Sequence, residues 1–286
     1  MKSAAFDYAK PATVAEALAL KRDHGGGARF LAGGQSLLPA MNMRLDKPGI
    51  LIDLNALAEL NGIGDAGDTI RIGALTRTAE LGRSEVIAQR LPLLARCVEH
   101  IAHPAIRSMG TFGGSLALAD PAAEWPAACL ALDAAMVVAG PSGERTIPAR
   151  DFFRGLYATA LDEDELLVRI DLPAQPENAR SVVLELARRR GDFAIAGIAA
   201  QAVPATDGRL SDVRIAFFGI SEHPVRLADV EQAIESGGTD GVDAARAALE
   251  AGVEFTSDLY HAAATKRHLA GVLLGRAVAE LLNDEA

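Results

Sequence analysis

Two glycine-rich segments constrain this chain more than any other feature: Ala32-Gly33-Gly34-Gln35-Ser36 and Gly110-Thr111-Phe112-Gly113-Gly114-Ser115. The first lies between a short apolar run, Arg29 to Ala32, which reads as a strand, and a helix candidate with Ser36 placed to cap it. A glycine pair at such a junction lets the backbone approach another group closely and adopt positive φ. Backbone N–H groups exposed there suit a phosphate or pyrophosphate. The segment is not Gly-x-Gly-x-x-Gly, and no Gly-Lys-Ser/Thr follows, so neither a dinucleotide fingerprint nor a P-loop is present. A tight turn is the plainer alternative for this segment by itself.

The second segment interrupts a helical pattern. Its backbone N–H groups and the Thr111 and Ser115 hydroxyls can contact another side of a phosphate group. Asp120, a few residues on, can accept hydrogen bonds from the hydroxyls of a ribose or ribityl chain. A glycine-rich bulge packed against a neighbour explains the same residues. Two such segments in one chain favour a single extended, phosphate-bearing ligand held between two domains.

The rest of the composition narrows the classes. The 286 residues are enough for two domains or three small ones. Apolar residues make up 50% and charged residues 23%, which points to a folded chain. Lys and Arg number 28 against 38 Asp and Glu, a net charge of −10, which argues against broad nucleic-acid binding. Cys97 and Cys129 are the only cysteines, too few for a four-thiolate iron–sulfur cluster. Each sits in an apolar run and reads as a buried, reduced thiol. MKSAAFDYAKP lacks the apolar core of a secretory signal, and no apolar stretch reaches the ~18 residues a membrane span needs. The expectation is a soluble, cytoplasmic protein.

Periodicity divides the chain into 1–55, 56–176 and 177–286. Thr13 to Leu20 reads as a helix, with Thr13 and Glu16 at capping-box spacing. Ile50 to Leu54 and Thr69 to Ala74 read as strands, Thr78 to Arg90 and Leu93 to Ile101 as helices. Ala122 to Leu132 reads as a helix. Ala134 to Ala139 reads as a strand that turns at Pro141-Ser-Gly143 into a hairpin. Leu166 to Leu172 is another strand. Pro173 to Asn178 is the best linker. Val182 to Leu186, Ala194 to Val203 and Val213 to Ile220 are strand-like. Val225 to Ile234, Val242 to Gly252 and His261 to Leu281 read as helices.

Other chemistries find little support. Arg188, Arg189 and Arg190 suit an anionic ligand or partner, and equally a solvated face; Gly191-Asp192 reads as a turn. His100 and His103 share a helix face, but Pro104 follows and no third ligand is near, so no metal site is expected. No Gly-x-Ser-x-Gly elbow occurs. Trp125 and Phe112 read as core, with a ring-flanking role as the alternative.

Three stretches resemble one family. ARFLAGGQSLLPAMNMRLDKPGILIDLN (28–55) and HPAIRSMGTFGGSLALADPAAEWPA (103–127) look like the two FAD segments of molybdenum hydroxylase flavoproteins. These are the medium subunits of the carbon monoxide dehydrogenase and xanthine dehydrogenase family. ELARRRGDFAIAGIAA (185–200) resembles the opening of their C-terminal domain. The matches lie in order and the resemblance covers nearly the whole chain. It implies an α+β fold: a two-part FAD-binding domain of the vanillyl-alcohol-oxidase-like (PCMH) type, then a carbon monoxide dehydrogenase flavoprotein C-terminal domain.

The resemblance also implies roles. The backbone of Ala32, Gly33, Gly34, Gln35 and Ser36 would wrap the FAD pyrophosphate, and Leu37 would line the cofactor. Thr111, Gly113, Gly114 and Ser115 would bind from the second part, Asp120 would hold a ribityl or ribose hydroxyl, and Arg189 would lie near the flavin edge. The family carries His or Gln at position 35 and Ile at 112; here they are Gln35 and Phe112. Gln35 excludes a histidyl flavin there, so FAD is expected to be non-covalent. A large partner subunit would carry molybdopterin and the substrate, and a small one two [2Fe–2S] clusters, in a dimer of heterotrimers. This chain would pass electrons from the clusters to an external acceptor. A stand-alone FAD oxidoreductase and a scaffold with a decayed flavin site are the competing readings.

Overall fold

The computed structural model describes residues 2–283 and shows an α+β chain with three main sheets. The first sheet is parallel, in the order β1 (Asp7–Ala9), β3 (Ile50–Asp53), β2 (Ala28–Leu31). Its central strand, Ile-Leu-Ile-Asp, is buried along its whole length, as a strand covered on both faces requires. Helix α1 (Val14–His24) packs on it. Thr13 caps α1 by accepting from the Glu16 N–H at 3.1 Å, whereas the Glu16 carboxylate takes the N–H of Ala12 rather than that of Thr13. The box is thus shifted by one residue.

The second sheet is antiparallel. It runs β4 (Ile63–Asp65), β5 (Thr69–Gly73), β10 (Leu166–Pro173), β6 (Ala135–Gly140), β7 (Gly143–Pro148). A small hairpin, β8 (Phe153–Gly155) with β9 (Ala158–Thr159), precedes β10. Helix α2 (Leu37–Asn42) lies between β2 and β3. Between β5 and β6 come α3 (Thr78–Leu81), α4 (Glu85–Arg90), α5 (Pro92–His100), α6 (Pro104–Arg107), α7 (Phe112–Leu118) and α8 (Glu124–Ala131). The single helix expected over Thr78 to Arg90 is two, because the chain turns at Gly82 and Ser84 starts α4 by accepting from the Ile87 N–H. The Gly110–Ser115 stretch interrupts helix only at Gly110 and Thr111, between α6 and α7. Thr111 caps α7, and Gly113 and Gly114 lie inside it.

The third sheet, β11 (Arg180–Leu186), β12 (Ala196–Pro204), β13 (Leu210–Phe218), β14 (Val225–Arg226), is antiparallel. After α9 (Ala149–Phe152), the remaining helices are α10 (Ala228–Gly237), α11 (Val242–Gly252) and α12 (Ala263–Leu282). Val225 therefore opens as a strand, and the helix expected from it starts three residues later. One face of this sheet, including Val182, Ile198 and Phe217, joins α10, α11 and α12 in a core. The other face places Val183, Ala199, Ala216 and Phe218 against α5 and α8, in the core shared with the second sheet.

The stretch expected as a linker is anchored. The Gln175 side chain is buried; its Oε1 accepts from the Leu93 N–H at 2.8 Å and its Nε2 donates to Ser181 Oγ at 2.9 Å. Asp133, just after α8, also ties the parts together through Arg214 (3.1 Å) and Arg226 (2.7 Å). Among the described residues, no helix is long and apolar enough to cross a membrane.

Candidate functional site

The two glycine segments meet. A β-carbon on Gly33 would collide with the Met109 carbonyl and lie 2.8 Å from Gly110 Cα. One on Gly114 would lie 2.6 Å from Thr111 Oγ1 and 3.5 Å from Ala32 Cβ. Only glycine lets these backbones approach so closely. Gly34 has φ +70°, in the left-handed region that other residues avoid.

The first segment turns its carbonyls inward. Ala32 O accepts from Asn55 Nδ2 at 2.9 Å, Gly33 O from Gln35 Nε2 at 3.0 Å, Gly34 O from the Leu38 N–H at 3.0 Å, and Ser36 O from the Ala40 N–H at 3.1 Å. The N–H groups of Gly33, Gly34, Gln35, Ser36 and Leu37 have no acceptor among the described residues. The Gln35 carbonyl has no such partner among the described residues, since Pro39 lacks an N–H. Consecutive free N–H groups of this kind form a concavity for an anion. Ser36 stands at the start of α2, yet its hydroxyl makes no capping bond, because its backbone is helical rather than extended. That hydroxyl is exposed and free for a ligand.

The second segment is different. The Phe112 N–H donates to Thr76 O, Gly113 N–H to Ala74 O, Gly114 N–H to Thr111 Oγ1, and Ser115 N–H to Thr111 O. Those amides are used up in fixing α7 against the second sheet. The segment is therefore a close-packed wall, with Gly114 toward Ala32 and Gly113 against Ala74, rather than a second set of free donors. Phe112 and Trp125 are fully buried with rings at 5.1 Å and 86°, an edge-on core pair.

Residues that drew no attention in the sequence hold the two segments together. Arg77 donates to Met109 O and, at 2.5 Å, to Asn55 Oδ1, while Asn55 holds Ala32 O. Asp53 receives both the Asn55 side chain and the Tyr8 hydroxyl. Burial alone would raise the Asp53 carboxyl, but these donors and Lys10 hold it below its ordinary value. A cavity of 220 Å³ opens beside this clamp, lined by Asn55, Leu57, Asn61, Leu75 and Arg77 among others. A separate cavity of 640 Å³, lined by Val14, Arg71, Glu144 and Arg169, shares no residue with the glycine segments.

Asp120 follows α7 after Ala119, which has φ +53°. Its carboxylate accepts from the Ala122 N–H at 2.9 Å and the Tyr157 hydroxyl at 3.3 Å. Burial raises its pKa against both donors. Arg189 is exposed and paired with Asp192 at 3.4 Å. Its loop reaches the second part of the chain through Gly191, where a β-carbon would press on the Ala102 carbonyl and the His103 ring. No contact brings Arg189 to Gly33 or Gly114 among the described residues. Cys97 and Cys129 are buried free thiols pushed well up by burial. No group of His, Cys, Asp and Glu able to hold a metal ion occurs among the described residues.

Comparisons with known proteins show the family. Residues 4–175 match the family described as FAD binding domain in molybdopterin dehydrogenase, and residues 182–281 match the CO dehydrogenase flavoprotein C-terminal domain. The nicotine 6-hydroxylase medium subunit of Paenarthrobacter nicotinovorans is 38% identical over 98% of both chains. The carbon monoxide dehydrogenase medium chain of Hydrogenophaga pseudoflava is 38% identical over 96% of both. A solved carbon monoxide dehydrogenase structure from Hydrogenophaga pseudoflava superposes with a TM-score of 0.95 at 38% identity, over 98% of each chain. A quinoline 2-oxidoreductase structure from Pseudomonas putida 86 gives 0.90 at 32% identity, over 99% of this chain and 98% of that one. The chain belongs to the FAD-binding medium-subunit family of the molybdenum hydroxylases, the oxidoreductases of carbon monoxide dehydrogenase and xanthine dehydrogenase type.

Proposed function

We propose that this chain is the electron-exit subunit of a molybdenum hydroxylase: it receives electrons from the [2Fe–2S] clusters of a small partner subunit and passes them through FAD to an external acceptor. The observation that carries the reading is the row of free N–H groups from Gly33 to Leu37, with the carbonyls of Ala32, Gly33, Gly34 and Ser36 already bonded. It fits the two negative phosphates of a dinucleotide cofactor.

The chain's own residues then have definite tasks. The N–H groups of Gly33, Gly34, Gln35 and Ser36, beside Ala32, hold the pyrophosphate, with the free Ser36 hydroxyl as a further donor and Leu37 as lining. Thr111, Gly113, Gly114 and Ser115 exclude water from the other side. Asp120, already shared with Tyr157, accepts from a ribityl or ribose hydroxyl. Arg189 stands toward the flavin edge. Gln35 folds its amide onto Gly33 O and leaves no imidazole for a covalent link, so the cofactor is held non-covalently. When bound, FAD supplies a carrier that takes up and releases electrons; the protein supplies its binding, orientation and electrostatic setting.

Residues 1–55 and 56–176 form the two parts of the FAD domain, and 177–286 the C-terminal domain. Relatives of similar length are named for nicotine and for carbon monoxide, two unlike molecules. This supports a division in which a large molybdopterin-bearing partner sets the substrate. A cytoplasmic dimer of heterotrimers completes the reading.

Native mass spectrometry of the complex from its source, with a visible spectrum of the same sample, tests it. The expected result is three kinds of subunit with FAD, iron–sulfur and molybdopterin signals, the FAD being released by acid. A lone yellow protein that oxidises its own substrate would overturn the reading, as would a lone protein that refuses FAD.

A further inference from the structure

We propose that Tyr157 is a positioning residue of the cofactor site: its hydroxyl holds the Asp120 carboxylate in the orientation that accepts from a ribityl or ribose hydroxyl of FAD. The inference deepens, and rests on, the reading that the glycine segments hold FAD and that Asp120 binds one of its hydroxyls.

The contact is built by two turns made without glycine. Helix α7 starts at the cradle wall with Thr111 as its cap and closes at Ala119, whose φ of +53° and ψ of 45° swing the chain out of the helix. Asp120 follows at once, at the end of the helix away from the wall. Tyr157, at the tip of the β8–β9 hairpin, also has φ +53°. Residues with a β-carbon seldom enter this left-handed region, and a bulky one there is an outlier. The Asp120–Tyr157 hydrogen bond therefore joins two parts of the chain that each hold a costly backbone shape to reach it.

The root of the hairpin is fixed. Phe152 and Phe153 are buried with rings at 5.1 Å and 86°, and the Ala160 N–H donates to Phe152 O at 2.8 Å. Strand β9 lies against α7. The tip is open: Leu156 and Tyr157 are more than half exposed. A strained backbone at an exposed tip supports no core, and strain of this kind gathers at functional sites.

The hydrogen bonds divide the work. Asp120 Oδ1 accepts from the Ala122 N–H at 2.9 Å and Oδ2 from the Tyr157 hydroxyl at 3.3 Å. Two donors on two oxygens fix the direction of the carboxylate and leave each oxygen a further lone pair. Both donors favour the charged form against the burial that raises its pKa. Among the described residues, no Lys or Arg pairs with Asp120, so a neutral hydroxyl meets no competing cation. Burial, then the Asp120 charge, raises the Tyr157 phenol above its ordinary value, and it stays a donor.

The experiment strips FAD from the intact complex and titrates it back. Two analogues are titrated as well, one without the ribityl hydroxyls and one without the adenosine ribose hydroxyls. Tyr157→Phe should weaken FAD about tenfold, the scale of one hydrogen bond to a charged group, with the melting temperature unchanged. In an Asp120→Ala background the same change should cost nothing more, because Tyr157 acts through Asp120. With the analogue that lacks the hydroxyl bound by Asp120, wild type and Tyr157→Phe should bind alike, which identifies that hydroxyl. Tyr157→Gly suits φ +53° better than tyrosine, so it should melt no lower than wild type and still bind FAD as weakly as Tyr157→Phe. Wild-type affinity in Tyr157→Phe, a loss that persists beside Asp120→Ala or with both analogues, or a loss confined to variants that melt lower would overturn the positioning role. Wild-type affinity in Asp120→Ala, or a wild-type complex that takes up no FAD, would instead overturn the reading of the site on which it rests.

Discussion

The Met109 carbonyl oxygen stands where a β-carbon on Gly33 would have to be. This contact, between residues 76 positions apart in the chain, brings the two glycine segments together. It fixes the depth of the cradle and explains why the chain has glycine at a position whose φ is ordinary.

Gly33→Val should force the segments apart. Overpacking of this kind costs about 1–3 kcal/mol. Bound FAD, read from its visible absorbance, should fall sharply while the protein stays folded by circular dichroism. Gly34→Ala acts differently: φ +70° costs a side chain about 1–2 kcal/mol. Flavin content like that of wild type in both variants would remove the first segment from the cofactor site.

Arg77→Met should loosen the same cradle from behind. It removes a charged donor from Met109 O and Asn55 Oδ1. Hydrogen bonds to charged groups contribute about 1.5–3 kcal/mol, so FAD affinity should drop by roughly one to two orders of magnitude. Asn55→Ala should give a similar loss. The double variant should lose less than the sum, since both residues act through one network. Fluorescence titration of the apoprotein with FAD measures all three.

Glu124 should set a pH dependence of stability. Its usual value of 4.5 is raised to about 8, so the folded state binds the proton more tightly. The contribution is complete below pH 4.5 and is lost as pH rises toward 8. Asp53 and Glu165, held low by their partners, contribute in the opposite sense and lose stability in acid. Glu124→Gln should therefore melt several degrees higher than wild type at pH 8 and match it near pH 5. Parallel melting curves at both pH values would contradict the assignment.

Gln175→Ala should weaken the seam between the FAD domain and the C-terminal sheet. It leaves the Leu93 N–H without its acceptor and Ser181 without its donor, both buried. Leaving such a group unsatisfied costs about 1–3 kcal/mol. Urea unfolding should show a lower midpoint, with visible flavin content unchanged at low denaturant.

The sequence by itself determined the local features. The Thr13 cap, the strand at Ile50, the Gly34 turn and the α+β class follow from side chains acting on their immediate neighbours. The family was legible too, because the two glycine segments and the 185–200 stretch are contiguous motifs. Tertiary structure decided the rest. Gly113 and Gly114 are poor helix formers, yet Phe112–Leu118 is helical because Phe112 is fully buried and the first amides bond to Ala74 and Thr76. The donor set moved to the first segment for the same reason. Arg77, Asn55 and Tyr157 carry no motif, and Glu185 meets His100 only after β11 has packed on α5. Propensity acts over a few residues. Burial and hydrogen bonding between distant positions exist only once the layers have closed.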